Sequence, residues 1–343
     1  MDSLTQLALG TAVGEATLGR KVGNRAILWG AVCGTLPDLD VFIPLGDAVR
    51  DFTYHRGASH SLFVLAALTP LLVWLILKLH PQTRAQRTGW FALGYLVFAT
   101  HVLLDSFTVY GTQIFWPFNA TPMTWSTIFI IDPAYTLPLV VGVLAALVLT
   151  RSTLRGHRWN TVGLVLSTVY LGWSLGAKLY VENVARSSLQ HQGIAYTRLL
   201  TTPAPFNTVL WRVLAMTDDG YYEGYYSLLD HTPQVPVERY PSEPSLLTGI
   251  KDHWPVQRLQ WFTKGFYSVS RQGSDVVITD LRMGVEPDYV FKFKVGEVSN
   301  PHARPASSQR LDSVRNLDRL GRLWARISDP AVSPAPDRID AGN

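Results

Sequence analysis

Charged side chains and cysteine are both scarce in this sequence. Only 16% of the 343 residues are charged, 47% are hydrophobic, and no Lys or Arg occurs from Thr88 to Thr150. Soluble domains usually carry about 25% charged residues, so the shortage indicates a chain that lies in lipid. The single cysteine, Cys33, excludes an intramolecular disulfide and a cysteine-rich zinc site. The N-terminus lacks the basic region of a secretory signal peptide, so we expect the first helix to stay in the mature protein.

The N-terminal half contains apolar segments that approach the ~20 residues needed to cross a ~30 Å hydrocarbon core. The six candidate spans are Leu4–Gly19, Ala26–Leu45, Ser61–Leu79, Gly89–Phe107, Ile128–Thr150 and Trp159–Val181. The first is short, and the second is interrupted by Pro37, Asp38 and Asp40. Because carboxylates in lipid cost roughly 2.5–3.5 kcal/mol each, we expect these two to face a bundle interior or an aqueous mouth.

The basic residues in the loops predict the orientation of these spans. Lys and Arg cluster after the first and third candidate spans and between the fifth and sixth, whereas the opposite loops have few or balance them with Asp. Positive loops remain in the cytoplasm. We therefore expect the chain to start outside, cross six times and deliver its C-terminal part to the extracytoplasmic face. The formal net charge of +4 is explained by this topology, and we expect no nucleic-acid partner.

The C-terminal half has a different pattern. Two β-type runs flank Asp219-Gly220, two more flank Gln272-Gly273, and Tyr289–Val295 alternates between apolar and polar residues. The fold class predicted is a mainly α membrane protein, a bundle of about six transmembrane helices followed by a small β-rich extramembrane domain. The predicted regions are a transmembrane domain over residues 1–183, a β-rich extracytoplasmic domain over 184–300, and a basic amphipathic helix near Ser308–Ile327 with a disordered tail over 301–343.

Histidine and aspartate occur in four clusters in the N-terminal half. The predicted topology, which uses only Lys and Arg, places all four near one membrane face, so we expect them to share a site. The proposed metal ligands are Asp38, Asp40, His55, His60, His101 and Asp105, with Asp132 as a further candidate. His101 and Asp105 are four residues apart and so lie on one helical face. Taken singly, Asp40 is also explained as a helix cap, His101 as a hydrogen-bonded bundle histidine, and Asp132 as an N-cap.

Imidazole nitrogens combined with carboxylate oxygens suit Zn²⁺, Mn²⁺ or Fe²⁺. We expect a divalent metal, with zinc first, and there are enough ligands for one or two ions. Arg56 could clamp an anionic substrate, but a lipid headgroup or Asp51 is an equally good partner. The aromatic run around Phe115 and Trp116 is most simply an interfacial belt.

The segments MDSLTQ, GTLPDLD, HRGASHS and HVLLDSFTVYGTQIFWPF resemble, in order and spacing, a bacterial family of LexA-regulated inner-membrane proteins described as metal-dependent hydrolases. The resemblance covers roughly residues 1–135. It implies an inner-membrane hydrolase with a His/Asp metal site, but the family has a histidine where this chain has Gln6. Gln6 could still contribute a carbonyl oxygen, or the metal count could be lower. More distantly, the pattern is similar to zinc-dependent phospholipase C and the S1/P1 nucleases, all-helical enzymes that hydrolyse phosphoesters.

The sequence therefore predicts a membrane-bound hydrolase that uses a divalent metal to cleave a phosphoester of a lipid or envelope metabolite. Asp40 or Asp132 is predicted to act as general base, and Arg56 and Gln6 to contact substrate. Two other classes stay open. A metal or ion transporter would use the same ligands but would need a polar path towards the cytoplasm, whereas a non-catalytic scaffold would hold a structural metal in a closed site. The oligomeric state is not predicted.

Overall fold

A computed structural model describes residues 1–149, 154–313 and 318–334. The chain divides into two compact units. The first consists of Met1–Ile43, Tyr54–Leu175 and Pro205–Asn207, and the second of Pro44–Thr53, Gly176–Ala204 and Thr208–Asn343. The division between Leu175 and Gly176 and the predicted boundary at residues 183/184 both fall inside one continuous helix, and the short segment Pro44–Thr53 also belongs to the second unit.

The first unit is built from helices. They are α1 (Ser3–Gly14), α2 (Arg20–Val22), α3 (Asn24–Thr35), α5 (Leu62–Leu79), α6 (Arg87–Ser106), α7 (Pro133–Leu149) and α8 (Arg155–His191), the last of which continues into the second unit, whereas α4 (Ala48–Tyr54) lies mainly in the second unit. A π-helical turn, Glu15–Gly19, joins α1 to α2. Short 3-10 helices cover Leu36–Phe42, Ala58–His60 and Pro81–Gln86.

Within the described residues, three helices are long and apolar enough to cross a membrane. They are Leu62–Leu79, Pro81–Ser106 and Arg155–His191, and Pro133–Leu149 is a shorter apolar helix. The predicted first span corresponds to α1, the π-helical turn and α2, which follow one another without a break, whereas the predicted second span is shorter than expected because α3 has 12 residues, about 18 Å of helix. The helical path from α1 ends at Gly23, which has a φ of 63°, and α3 gives way to a 3-10 helix containing Pro37. The last residue of the predicted fifth span, Thr150, lies outside the described residues.

Four glycines allow α1 and α3 to pack backbone against backbone. We call Gly10, Gly14, Gly30 and Gly34 the glycine seam. A Cβ on Gly34 would lie 2.6 Å from the carbonyl oxygen of Gln6, and one on Gly14 would lie 2.5 Å from that of Ala26. The spacing of four residues within each helix is the small-residue pattern of close helix pairs in membranes. The seam fixes the position of Gln6 relative to the end of α3.

The second unit contains two four-stranded antiparallel sheets, as far as its described residues extend. The first has the order β1 (Arg198–Pro203), β2 (Leu210–Thr217), β3 (Gly220–Ser227), β4 (Val237–Pro241); the second has the order β10 (Arg304–Leu311), β9 (Lys292–Glu297), β6 (Asp275–Asp280), β5 (Tyr267–Gln272). A short pair, β7 (Gly284–Val285) and β8 (Asp288–Tyr289), precedes β9. The hairpins predicted at Asp219-Gly220 and Gln272-Gly273 join β2 to β3 and β5 to β6, respectively, which confirms the β-rich character of this half.

The segment predicted as one amphipathic helix near Ser308–Ile327 is divided. Its beginning is strand β10, because these residues pair with β9, and its end is α10 (Asp318–Arg326). Residues 314–317 and the end of the predicted disordered tail, 335–343, lie outside the described residues. A further helix, α9 (Trp254–Phe262), precedes β5 and buries Val256, Leu259 and Phe262.

A buried ion pair lies in the first sheet of this unit. The Arg212 guanidinium contacts Glu223, and the Tyr289 hydroxyl donates to Glu223 at 2.9 Å. Tyr225 donates to the other oxygen of Glu223 at 2.8 Å, and Arg212 donates to the Leu281 carbonyl at 2.7 Å. Burial by itself raises the pKa of the Glu223 carboxyl, but the Arg212 guanidinium together with the hydrogen bonds from Tyr225 and Tyr289 holds that pKa below its ordinary value.

Candidate metal centre

Four side chains of the first unit converge on one point. They are Asp38, His60, His101 and Asp105, and each offers one ligand atom within 4.8 Å of all the others. We call these four residues the metal cluster. His60, His101 and Asp105 are fully buried, and the side chain of Asp38 is 19% exposed. The structure thus brings together four of the six ligands proposed from sequence.

Three local features of the sequence position the four members of the metal cluster. Asp38 follows Pro37 in the 3-10 helix after α3, and His60 ends the 3-10 helix Ala58–His60. Ser61 immediately follows His60 and caps α5, accepting hydrogen bonds from Phe63 and Val64 backbone N–H groups. This cap fixes where the helix begins and therefore where His60 points. His101 and Asp105 lie one turn apart on the buried face of α6.

The separations between the ligand atoms suit a single small cation. His60 Nε2 lies 3.3 Å from Asp38 Oδ1 and 3.1 Å from Asp105 Oδ2. His101 Nε2 lies 3.7 Å and 3.5 Å from the same two oxygens, and 3.3 Å from His60 Nε2. Ligands at 2.0–2.1 Å from a tetrahedral zinc ion are separated by about 3.3 Å. The cluster therefore has the dimensions of a four-coordinate metal site.

Both imidazoles turn a bare nitrogen towards the centre of the cluster. His101 Nδ1 lies 2.8 Å from the Gly34 carbonyl oxygen, which can only accept, so Nδ1 carries the proton in the neutral ring. His60 Nδ1 lies 2.9 Å from Ser59 Oγ, whose own hydroxyl is donated to Asp40. Nδ1 of His60 is therefore also the donor. Fixing the outer nitrogen in this way is how proteins present Nε2 to a metal.

The oxygens opposite these nitrogens have no hydrogen-bond partner. Asp38 Oδ1 and Asp105 Oδ2 are buried and unpartnered, and so is Gln6 Oε1. A buried carboxylate oxygen without a donor is costly, and two nitrogen lone pairs facing such oxygens increase that cost. A divalent cation removes the conflict because it accepts all four lone pairs. The residues present therefore fit the metal that the sequence predicts.

The outer oxygen of Asp105 is held by cationic and amide groups. Gln6 Nε2 donates to Asp105 Oδ1 at 3.0 Å and to the His101 carbonyl at 3.2 Å. The Met1 amino group donates to the same carboxylate oxygen, and Arg56 Nη2 lies 3.4 Å from it. Gln6 thus contacts a proposed ligand through its amide nitrogen, and its own oxygen stays unpartnered.

Arg56 is buried beside the cluster, and the partner for its charge is the Asp105 carboxylate. Its guanidinium is 3.4 Å from Thr108 Oγ1, lies over the Tyr110 ring at 5.3 Å, and leaves Nε unpartnered. The backbone of Arg56 has a φ of 59°, which an L-residue adopts only when its surroundings require it. Asp51, the alternative partner considered from sequence, accepts instead from the Leu45 backbone N–H.

Asp40 and His55 lie next to the metal cluster and bind each other. His55 Nδ1 is 2.7 Å from Asp40 Oδ1, and the Arg56 backbone N–H donates to Asp40 Oδ2 at 3.0 Å. Asp40 Oδ2 is also 3.8 Å from His60 Nδ1. Neither residue is part of the metal cluster; Asp40 is used in orienting the loop and, through Ser59, the His60 ring.

Asp132 lies outside the metal cluster and is an N-cap, the alternative that the sequence also offered. One carboxylate oxygen accepts from the backbone N–H groups of Ala134 and Tyr135, which makes Asp132 the cap of α7, and the other accepts from Tyr170 Oη at 3.0 Å. Both oxygens are therefore committed to partners outside the metal cluster.

Two functional groups were not foreseen from sequence. The Gly34 carbonyl orients His101, and Ser59 links His60 to Asp40. The serine carried a signal, because it directly precedes a proposed ligand in HRGASHS. The glycine carried one too, since Gly30 and Gly34 form a four-residue small-residue pair.

Together the fold and the cluster define a helical membrane protein whose N-terminal region can hold a metal ion. Residues 1–181, more than half of the chain, match the family described as YdjM inner membrane protein, and the chain belongs to that family. The family and the three candidate spans among the described residues support location in the inner membrane. The chain is also similar to the protein YfhP of Bacillus subtilis (strain 168), with 24% identity over 249 residues, 69% of this chain and 73% of YfhP. No solved structure matches the chain.

Proposed function

We propose that this chain is a membrane-bound, metal-dependent hydrolase that cleaves a phosphoester of a lipid or envelope metabolite. The observation that carries the proposal is the metal cluster, in which two Nε2 lone pairs face two unpartnered carboxylate oxygens. Asp38, His60, His101 and Asp105 hold the ion, and zinc is the first candidate. When bound, a divalent ion acidifies water and stabilises the negative charge that develops on a phosphoester.

The neighbouring residues suit an anionic substrate. Arg56 supplies a buried guanidinium with an unpartnered Nε, and a guanidinium matches the geometry of phosphate oxygens. His55, oriented by Asp40, is the group we assign to proton transfer, so Asp40 acts through the imidazole rather than alone. Asp132 is not assigned a catalytic role because both of its oxygens are occupied in capping α7 and binding Tyr170.

A structural metal is the second candidate function. The metal cluster supplies four protein ligands, which is the number of a closed structural site, whereas catalytic zinc sites keep an open position. Asp38 is the only member with appreciable exposure, so it is the ligand most easily exchanged for water or substrate. A catalytic site requires this exchange, and a structural site does not.

Elemental mass spectrometry and phosphoesterase assays on the detergent-purified full chain test the proposal. We expect about one equivalent of zinc, manganese or iron in the wild type and its loss in His60→Ala and in His101→Ala. Hydrolysis of a phosphoester panel should disappear in the same variants and in Arg56→Ala, which should keep its metal. Wild-type protein that is folded and metal-free would contradict the metal site. Metal without hydrolysis of any member of the panel would favour the structural role.

We also propose six crossings, with the C-terminal part outside the cytoplasm. The support is the distribution of Lys and Arg in the loops between the apolar segments. The alternative assignment as an ion transporter needs a polar path through the bundle, which the apolar helices do not favour. Reporter fusions at Asn343 and in the loop after Leu79 test the proposed orientation. The proposal requires Asn343 to lie outside the cytoplasm and the loop after Leu79 to lie inside it.

A further inference from the structure

A second buried carboxylate lies in the first unit, and the proposed hydrolase does not use it. Glu15 begins the π-helical turn that follows α1, and it is only 2% exposed. Its Oε1 lies 3.5 Å from Nδ1 of His157 on α8. Ionisable groups this deeply buried in membrane helices are rare and are retained for function.

Three buried polar atoms on the π-helical turn and α8 lack hydrogen-bond partners in the described part of the chain. The unpartnered atoms are Glu15 Oε1, His157 Nδ1 and Asn160 Oδ1. As in the metal cluster, a buried carboxylate oxygen and a buried imidazole nitrogen lie near each other, and neither atom has a hydrogen-bond partner. The pair is within ion-pair distance, but it makes no hydrogen bond.

The orientation of Asn160 is set by α1. Asn160 Nδ2 donates to the Ala12 carbonyl at 2.8 Å, and a carbonyl can only accept. The amide nitrogen therefore faces Ala12, and the amide oxygen is left for another partner. Ala12 and Glu15 are three residues apart on one helix, as His157 and Asn160 are on the other, so both pairs lie on facing sides one turn apart.

The local backbone makes room for the carboxylate. Gly19 ends the π-helical turn, and a Cβ there would lie 2.7 Å from Glu15 Oε1 and nearer still to the rest of the carboxylate. Only glycine fits this position without displacing the Glu15 side chain. Single π-helical turns occur frequently at functional sites, where the wider turn redirects a side chain.

We propose that Glu15, His157 and Asn160 form a second cation site, which binds a divalent transition-metal ion. One carboxylate oxygen, one imidazole nitrogen and one amide oxygen form a mixed donor set that suits Mn²⁺ or Zn²⁺. The 3.5 Å between Glu15 Oε1 and His157 Nδ1 is close to the ~3.3 Å that separates ligands of such an ion. The site shares no residue with the metal cluster, so each can be removed separately.

Equilibrium dialysis of the detergent-purified full chain against Mn²⁺ tests this site. Glu15→Gln keeps the shape of the side chain and removes its charge, and Glu182→Gln is the matched control because Glu182 is only partly buried and pairs with Arg186. Both changes are made in the wild type and in the His101→Ala variant. We expect Glu15→Gln to lose one Mn²⁺ per chain in both backgrounds, and Glu182→Gln to lose none.

A second measurement identifies the nitrogen ligand. Pulsed electron paramagnetic resonance of Mn²⁺ bound to the His101→Ala variant should show coupling to an imidazole nitrogen, and the added change His157→Gln should remove it. Unchanged Mn²⁺ stoichiometry in Glu15→Gln would overturn the proposal, as would imidazole coupling that survives His157→Gln. Because these readouts measure binding at residues outside the metal cluster, they do not depend on whether the chain is a hydrolase.

Discussion

The metal cluster and the Arg212–Glu223 pair are both buried polar groups, but they are completed in different ways. Both oxygens of Glu223 receive donors, from Arg212 and two tyrosines, and of this group Arg212 Nε alone is left without a partner. In the metal cluster, Asp38 Oδ1 and Asp105 Oδ2 receive none, and two imidazole nitrogens face them. Buried polar groups that pair with one another inside the protein serve the fold. Groups whose unpaired lone pairs converge on one point are suited to binding a ligand.

The largest expected effect is the loss of stability of the second unit when the Arg212–Glu223 pair is broken. Glu223→Gln leaves the buried Arg212 guanidinium without its counter-charge, and breaking such a pair costs about 3–5 kcal/mol. Hydrogen exchange of the β2 and β3 amides should show this loss as a lower free energy of opening, while the metal content stays unchanged. If Glu223→Gln lowered the metal content without faster exchange of the β2 and β3 amides, the proposed difference between a structural pair and a metal site would be wrong.

The same pair gives the second unit a predicted pH dependence. Because Arg212 holds the pKa of folded Glu223 below its ordinary value of about 4.3, the ion pair stabilises the fold fully above that value. Its contribution is lost as the pH falls through the lowered pKa. The protection of the β2 and β3 amides, measured against the intrinsic exchange rate at each pH, should therefore fall in acid in the wild type, and Glu223→Gln should weaken that pH dependence.

A substitution in the glycine seam is expected to have the next largest effect on stability. In Gly34→Ala the new Cβ would lie 2.6 Å from the Gln6 carbonyl, so α1 and α3 must separate. Overpacking of this kind costs about 1–3 kcal/mol, and it moves the carbonyl that orients His101. We expect lower thermal stability and lost metal. Gly172→Ala is the control, since nothing lies within 4 Å of its Cβ; equal effects of both changes would contradict the role of the seam.

Ser59→Ala should have a moderate effect confined to metal affinity. The change removes the hydroxyl that links His60 Nδ1 to Asp40 and leaves all four ligands in place. Removal of such an outer partner typically weakens metal binding about 10–100-fold. Competition with a chelator measures the affinity, and Ser59→Thr, which keeps the hydroxyl, should restore most of it. Unchanged affinity in Ser59→Ala would show that the link does not orient His60.

The smallest expected effect concerns Asp132. Tyr170→Phe removes one hydrogen bond to this carboxylate, worth about 0.5–1.5 kcal/mol of stability. Because Asp132 caps α7 and lies outside the metal cluster, neither Tyr170→Phe nor Asp132→Asn should change the metal content. Loss of metal in Asp132→Asn, measured by elemental analysis, would show that Asp132 contributes to metal binding and would contradict this prediction.

Residue type and helical spacing were sufficient to nominate all four members of the metal cluster. Charge in the loops predicted that they share one membrane face, and the four-residue spacing predicted that His101 and Asp105 lie together on α6. Spacing alone could not show which of two neighbouring carboxylates is a ligand. Asp38 and Asp40 lie in the same 3-10 helix and differ in the direction in which their side chains point. The Gly34 carbonyl belongs to the backbone, which a search for reactive side chains does not consider.

The secondary structure was predictable where one pattern dominated and not where two competed. The hairpins of the second unit have strong turn residues and pair as expected. The segment that ends in α10 has basic and apolar residues at helical spacing, but pairing with β9 makes its first part a strand. Tertiary pairing overrides local preference at such positions.

The Gly34 position has a consequence for how the protein responds to its surroundings. The same residue sets the distance between two helices and supplies the oxygen that aims an imidazole. A change in the spacing of the two helices would therefore also displace the carbonyl that orients His101. Bilayer thickness and lipid packing act on helix pairs in this way. We therefore expect the affinity of the proposed metal site to depend on the thickness of the membrane around it.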